Sequence, residues 1–247
     1  MTSGNVPEAA ELLIGVKTAK PATVTVAGGI HPTLFDELML REIPQLDYVL
    51  RGEADFSFPE LCKRLASSKD LRDLPGLSYR TDGDIVSGEP QRIEEVDTIP
   101  QIDRGLLKKS LYSTQWYGWK LPEAAGRFTT AFTSRGCPFH CTFCSLVKLC
   151  GRRFRPRTAD NVFEELRVIA EQGLKFVIFF DDNFTANQAR VHELCEMLIS
   201  HPTRPALRFC GNVAPVVPID LESYASCRVR LRVCGCRKWK RARACQF

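Results

Sequence analysis

Thr133-Ser134-Arg135-Gly136-Cys137-Pro138-Phe139-His140-Cys141-Thr142-Phe143-Cys144 sets three thiols within eight residues, at spacings of four and three. Cubane iron-sulfur clusters are ordinarily held by four cysteine thiolates. A loop with three therefore leaves one iron without a protein ligand and open to a small molecule. Gly136 and Pro138 bend the chain, which suits a loop wrapped around one corner of a cluster. Structural zinc is the competing reading. It takes four ligands, commonly as two CxxC pairs, and although His140 and Cys150 lie nearby, no second pair at that spacing follows. A disulfide framework fits poorly: no signal peptide opens the chain, and eleven cysteines scattered through 247 residues are the pattern of a reducing, cytoplasmic compartment.

With 44% hydrophobic residues the chain has enough apolar material for a sizeable core in one large or two ordinary domains. No apolar run approaches the roughly 18 residues of a membrane span, so none is expected. The net charge of +5 is unevenly placed. Eight arginines and lysines follow the last acid, Glu222, and without them the remainder carries −3. General affinity for phosphate backbones is thus confined to the tail, and the body predicts no nucleic-acid partner.

The pattern over residues 1–90 is that of the later part of an α/β unit. Residues 22–27 are a β-branched run that ends at Gly28-Gly29, a strand followed by a tight turn. A helix is predicted over 32–41, a strand over 47–50 and a helix over 58–65. A hairpin joins 77–80 to 85–87 through Asp82-Gly83. Residues 91–126 lack periodicity and read as a linker whose aromatics pack on a neighbouring domain or line a substrate entrance. From 127 to 226, strands at 128–133, 175–180 and 207–210 alternate with helices at 161–170 and 188–200. Such βα repeats predict a parallel barrel or part of one, with its chemistry at the carboxyl ends of the strands. The cysteine loop and Asp181-Asp182-Asn183 both fall at such ends. Arg153, Arg155 and Arg157 read as solvated loop residues.

The CxxxCxxC run resembles that of the radical S-adenosylmethionine (radical SAM) superfamily, and Gly28-Gly29 upstream of it resembles the subfamily with an N-terminal cobalamin-binding domain. The resemblance covers roughly residues 3–221. It implies an α/β chain in which a partial Rossmann-like cobalamin-binding domain precedes an incomplete (β/α) radical SAM barrel. Cys137, Cys141 and Cys144 would hold a 4Fe-4S cluster, SAM would chelate the open iron, and Phe143 would pack near the adenine. Asp181, Asp182 and Asn183 match a strand-end motif near SAM or substrate, the alternative being that one of them caps the next helix. Gly28 and Gly29 would let the backbone approach the nucleotide tail of cobalamin, and Ser3 would match an earlier hydroxyl position.

The implied function is reductive cleavage of SAM to a 5′-deoxyadenosyl radical, for cobalamin-linked methyl transfer or carbon-skeleton chemistry on a small-molecule substrate. A flavodoxin or ferredoxin would be the reductant. The alternative is a noncatalytic iron-sulfur or zinc protein that regulates or transfers electrons. Relative to the family the chain looks truncated at both ends. The histidine-bearing loop that supplies a cobalt ligand would lie upstream, and none of His31, His140, His192 or His201 sits in that motif.

Past Ala225 the pattern resembles no fourth strand of the family, and residues 227–247 are expected to be a basic tail. Reading its codons one base later permits Gly-Val-Glu-Ser-Gly-Ser, the family's SAM-contacting motif after the fourth strand. A frameshift is therefore expected. A nucleic-acid arm or membrane-surface segment is the competing reading of the same residues.

Overall fold

Phe176-Val177-Ile178-Phe179 is apolar at every position, the pattern of a strand covered on both faces, and all four residues are buried. The computed structural model describes residues 3–106, 115–116, 119–120, 128–142, 144–150, 152–174, 176–201, 208–213 and 229–233. The chain divides into two compact units, residues 1–94 and 95–247.

The first unit begins with helix α1 (Val6–Ala19), strand β1 (Val26–Gly28), helices α2 (Ile30–Leu34) and α3 (Asp36–Glu42) and strand β2 (Tyr48–Leu50). Helix α4 (Ser57–Ala66) and strands β3 (Leu77–Arg80) and β4 (Ile85–Val86) complete it. Its sheet runs β1-β2-β3-β4, the first pair parallel and the others antiparallel. The Asp-Gly hairpin forms as expected. Helix α1 is an addition to the sequence reading: Val6, Ala10 and Leu13, spaced one and two turns apart, pack against Ala27, Met39, Leu40 and Val49.

Two predicted elements differ in extent. Strand β1 is shorter than 22–27 because Thr25 is occupied by the β2 entry: its N–H donates to the Asp47 carboxylate at 2.7 Å, and its carbonyl accepts from Tyr48 N–H. The helix expected over 32–41 is two helices broken at Phe35 (φ −137°). Asp36 at the start of α3 is held inward by the Ser78 hydroxyl at 2.7 Å and by Arg51 at 3.4 Å, which fixes the break.

Burial alone would raise the Asp47 carboxyl. The Lys17 ammonium at 2.7 Å and the N–H and hydroxyl of Thr25 outweigh it and hold the group below its ordinary 3.8. A carboxyl lowered by folding stabilises above its unfolded pKa, and that contribution is lost as the pH falls through the folded value. We predict that D47N costs about 1 kcal/mol at neutral pH and flattens the acid limb of a urea-midpoint titration between about pH 5 and pH 3. An acid limb identical to that of the parent chain would refute this.

The second unit opens with single 3₁₀ turns at Val96–Thr98 and Arg104–Leu106, and strands β5 (Gln115–Trp116) and β6 (Trp119–Lys120) form a short antiparallel pair. There follow β7 (Phe128–Ala131), β8 (Ser134–Arg135), α5 (Leu146–Cys150), β9 (Arg155–Pro156), α6 (Ala159–Glu171), β10 (Phe176–Phe179), α7 (Gln188–Ser200), β11 (Arg208–Val213) and β12 (Val229–Val233). Strands β7, β10, β11 and β12 lie side by side in chain order, all parallel. This is the wall of a βα barrel, and among the described residues the barrel does not close. Val162, Leu166 and Ile169 of α6 and Val191, Leu194 and Leu198 of α7 form its core with Val177 and Phe179.

Val229-Arg230-Leu231-Arg232-Val233 forms a fourth parallel strand in register with Phe209–Val213. Its alternation of β-formers with arginine suits a strand as well as it suits a basic arm.

Candidate metal centre

The residue that decides the path of the cysteine loop is Thr133, which follows β7. Its N–H donates to Asp181 at 2.6 Å, its hydroxyl donates to the same carboxylate, and the next N–H, of Ser134, donates at 3.1 Å. Its carbonyl accepts from Arg157 N–H at 3.0 Å and from the Arg190 guanidinium at 2.8 Å. Asp181 and Arg190 are both buried, at 1% and 6% exposure. Burial pushes the Asp181 carboxyl up against these hydrogen bonds and against Arg190, and burial likewise lowers Arg190.

Beyond Thr133, β8 pairs antiparallel with β9, Ser134 with Pro156 and Arg135 with Arg155. Residues 136–154 are thereby closed into a loop with clasped ends. Gly136 has φ +79°, and a Cβ there would stand 2.1 Å from the Arg153 carbonyl oxygen and 3.2 Å from Cys150 Cβ. No other residue fits that turn.

Within the loop Cys137 and Cys144 are half-buried and Cys141 is exposed, all three as free thiols. Cys144 N–H donates to the Cys141 carbonyl at 3.0 Å in a tight turn. The Cys137 thiol is pushed up by burial first, then by Asp182, Cys141 and Cys144, so the three sulfurs share one electrostatic environment. Among the described residues no three His, Cys, Asp or Glu side chains converge on a single ion. Three thiols presented by one short loop are the donor type that iron-sulfur clusters take. The Ser134 hydroxyl, three residues before Cys137, is buried without a hydrogen-bond partner, a donor left over beside the loop.

The strand-end triplet divides its duties. Asp181 is consumed in holding Thr133 and Ser134. Asp182 accepts from Gly136 N–H, and its carboxyl, partly withdrawn from solvent although the residue keeps an exposed edge, is raised by that burial and then by Asp181. Asn183 is buried, and its side-chain oxygen accepts from the Thr185 hydroxyl at 3.4 Å. None of the three caps α7. Asn187 does, accepting from Arg190 N–H at 3.1 Å.

Phe143 lies outside the described residues. In the first unit, Gly28 ends β1 with a Cβ position 3.6 Å from the Leu50 carbonyl, and Gly29 turns the chain at φ +99°. The Ser3 hydroxyl lies 2.9 Å from Nδ1 of His31.

Sequence reasoning missed the charged frame behind the loop. Glu165 of α6 is buried between Arg104, at 2.5 Å, and Arg157. Arg104 also reaches the Thr130 carbonyl at 2.8 Å, and Arg157 the Phe132 carbonyl at 2.7 Å. Of the three arginines read as solvated, Arg155 is buried and Arg157 tied, while Arg153 is exposed. A glutamate inside an otherwise apolar helix stripe was the available signal.

Residues 132–231 match the radical SAM superfamily profile. That segment is a radical SAM domain. It is 39% identical over 172 residues to an uncharacterized methyltransferase of Pyrococcus horikoshii, covering 68% of this chain and 35% of the relative. It is 30% identical to the anaerobic magnesium-protoporphyrin IX monomethyl ester cyclase of Cereibacter sphaeroides, over 73% of this chain and 29% of that one. It is 33% identical to the hopanoid C-3 methylase of Methylococcus capsulatus, over 70% and 32%. The chain thus spans about a third of the length of these curated relatives.

Among solved structures it is similar to the radical SAM methyltransferase TsrM of Kitasatospora setae with cobalamin and a [4Fe-4S] cluster bound. The TM-score is 0.69 at 22% identity, over 93% of this chain and 44% of that one. The cobalamin-dependent radical enzyme OxsB follows at 0.66 and 18%, over 94% and 34%. The α/β fold of a cobalamin-dependent radical SAM enzyme is therefore the fold of this chain. Radical SAM proteins use a 4Fe-4S cluster and SAM.

If Asp181 is a structural clamp, D181A leaves Arg190 buried without its counter-charge and two N–H groups unpaired. We predict a loss of about 3–5 kcal/mol, read as a lower urea midpoint. An unchanged midpoint would show that the carboxylate is held in reserve for a ligand.

Proposed function

We propose that this chain is the cofactor-binding part of a radical SAM enzyme, with Cys137, Cys141 and Cys144 as the three protein ligands of a 4Fe-4S cluster. The observation that carries the reading is a clasped loop that presents three free thiols and a turn only glycine can make. The bound cluster and SAM would supply reductive cleavage of SAM to a 5′-deoxyadenosyl radical, with the protein contributing position and exclusion of water.

The chain's own residues support that chemistry in distinct ways. Asp181 and Arg190 fix the strand from which the loop departs. Asp182 holds the Gly136 N–H and sets a carboxylate near Cys137. Asp182 and Asn183, at the carboxyl end of β10, and Phe143 are the candidates to touch SAM. Gly28 and Gly29, at the end of β1, are the candidates to approach cobalamin. The relatives' names support methyl transfer to carbon or cyclisation of a small molecule, with a flavodoxin- or ferredoxin-type reductant. No helix among the described residues is long and apolar enough to cross a membrane, and the reading places the enzyme in the cytoplasm.

The test is anaerobic reconstitution with iron and sulfide, reduction, and chromatography of the products from SAM. The expected products are 5′-deoxyadenosine and methionine, formed in a reaction that C137A, C141A and C144A each reduce to background with loss of bound iron. Zinc at the cysteines and no iron would overturn the assignment. A cluster that never cleaves SAM would favour the electron-transfer reading.

A further inference from the structure

The first unit holds a cavity of about 490 Å³, a volume suited to a small organic molecule. One wall is the start of α4, at Phe56 and Ser57, and another is formed by residues 91–93 with Pro75. The second wall is anchored to the chain just past β2. Gln91 N–H donates to the Arg51 carbonyl at 3.1 Å, Glu53 N–H to the Gln91 carbonyl at 2.9 Å, and Ile93 N–H to the Glu53 carboxylate at 2.8 Å. The cavity is therefore formed before a ligand arrives, and binding orders little of the chain.

Its lining has donors that the protein itself does not use. Ser57 is 8% exposed, and among the described residues its hydroxyl has no hydrogen-bond partner, a costly state for a buried polar group. The residue opens a ten-residue helix whose N-cap, Phe56, supplies no side-chain cap. In that first turn Phe58 and Glu60 N–H donate to the Ala54 and Phe56 carbonyls and Pro59 has no N–H. The Ser57 N–H is thus left beside its own hydroxyl, at the positive end of the helix dipole. Arg92 adds a guanidinium to the lining. The two carboxylates there are already engaged, Glu53 by Ile93 N–H and Glu60 by the Arg64 guanidinium at 2.9 Å. Apolar surface comes from Phe56, 49% exposed, with Pro75 and Ile93.

We propose that this cavity binds a small organic anion. Its carboxylate or phosphate group accepts from the Ser57 hydroxyl and N–H and pairs with Arg92, and its apolar body lies against Phe56. The inference goes beyond the proposed function, since none of these residues is a candidate to hold the cluster, SAM or cobalamin.

The test is isothermal titration calorimetry of the full chain, without iron or corrinoid. The probes are phenyl phosphate and 3-phenylpropionate, which carry both parts, inorganic phosphate, which lacks the apolar body, and 3-phenylpropanol, which lacks the charge. At least one organic anion is expected to bind one to one, and roughly tenfold or more tightly than inorganic phosphate and 3-phenylpropanol. The tighter of the two anions tells a phosphate ester from a carboxylic acid as the natural ligand. S57A is expected to weaken that anion about tenfold, the loss of one charge-assisted hydrogen bond, and F56A to act in the same direction. Far-UV circular dichroism checks that each variant is folded. R92Q, at an exposed position, is expected to weaken the anion as well and decides the matter should S57A not fold. Inorganic phosphate or 3-phenylpropanol binding as tightly as the organic anions, or affinities that S57A and R92Q leave unchanged, would overturn the site, and so would a parent chain that binds none of the probes.

Discussion

The carboxylate of Asp181 is the point on which the metal loop depends. It sits at the carboxyl end of β10 and binds the neighbouring strand's continuation through two N–H groups and a hydroxyl. A buried carboxylate is costly unless its oxygens are satisfied, and here three donors satisfy them while the charge of the buried Arg190 favours the ionised form. The same arginine takes the Thr133 carbonyl, so the donors and acceptors of one residue are all engaged at the place where a strand becomes a ligand loop. The clamp fixes the place at which the cysteine loop leaves the sheet.

A second layer of charge stands behind the clamp. Glu165 would be a destabilising guest in the apolar stripe of α6, yet Arg104 and Arg157 carry its charge to the carbonyls at positions 130 and 132. Buried triads of this kind add little net stability over an apolar core. What they add here is registry: helix α6, the 3₁₀ turn at Arg104–Leu106 and the end of β7 cannot slide past one another without stranding a charge. The clasp of β8 on β9 then has fixed ends on which to close.

Much of this architecture was legible in the residues, for a physical reason. Helix α7 has the bounds expected of it, and strand β10 lies within the run expected for it, because apolar periodicity reports burial directly. The cysteine loop was legible because thiol spacing and a glycine speak to chemistry. Less legible were elements whose reason lies elsewhere in the chain. Helix α1 has only a thin apolar stripe, the break at Phe35 is imposed by Asp36 reaching Ser78, and β12 hides in a run whose arginines read as a tail. Asp181 looked like a ligand for the same reason. A strand-end acid announces function, and only the folded distances show that it faces Thr133.

The contrast between Asp181 and Asp182 follows from one geometric fact. The two aspartates just past β10 face different partners, Asp181 inward to Thr133 and Ser134 and Asp182 to the Gly136 N–H. The inner one can be kept only with donors, and Thr133 and Ser134 provide them. The outer one meets the loop at Gly136 and adds negative charge beside the Cys137 thiol, which burial already makes reluctant to ionise.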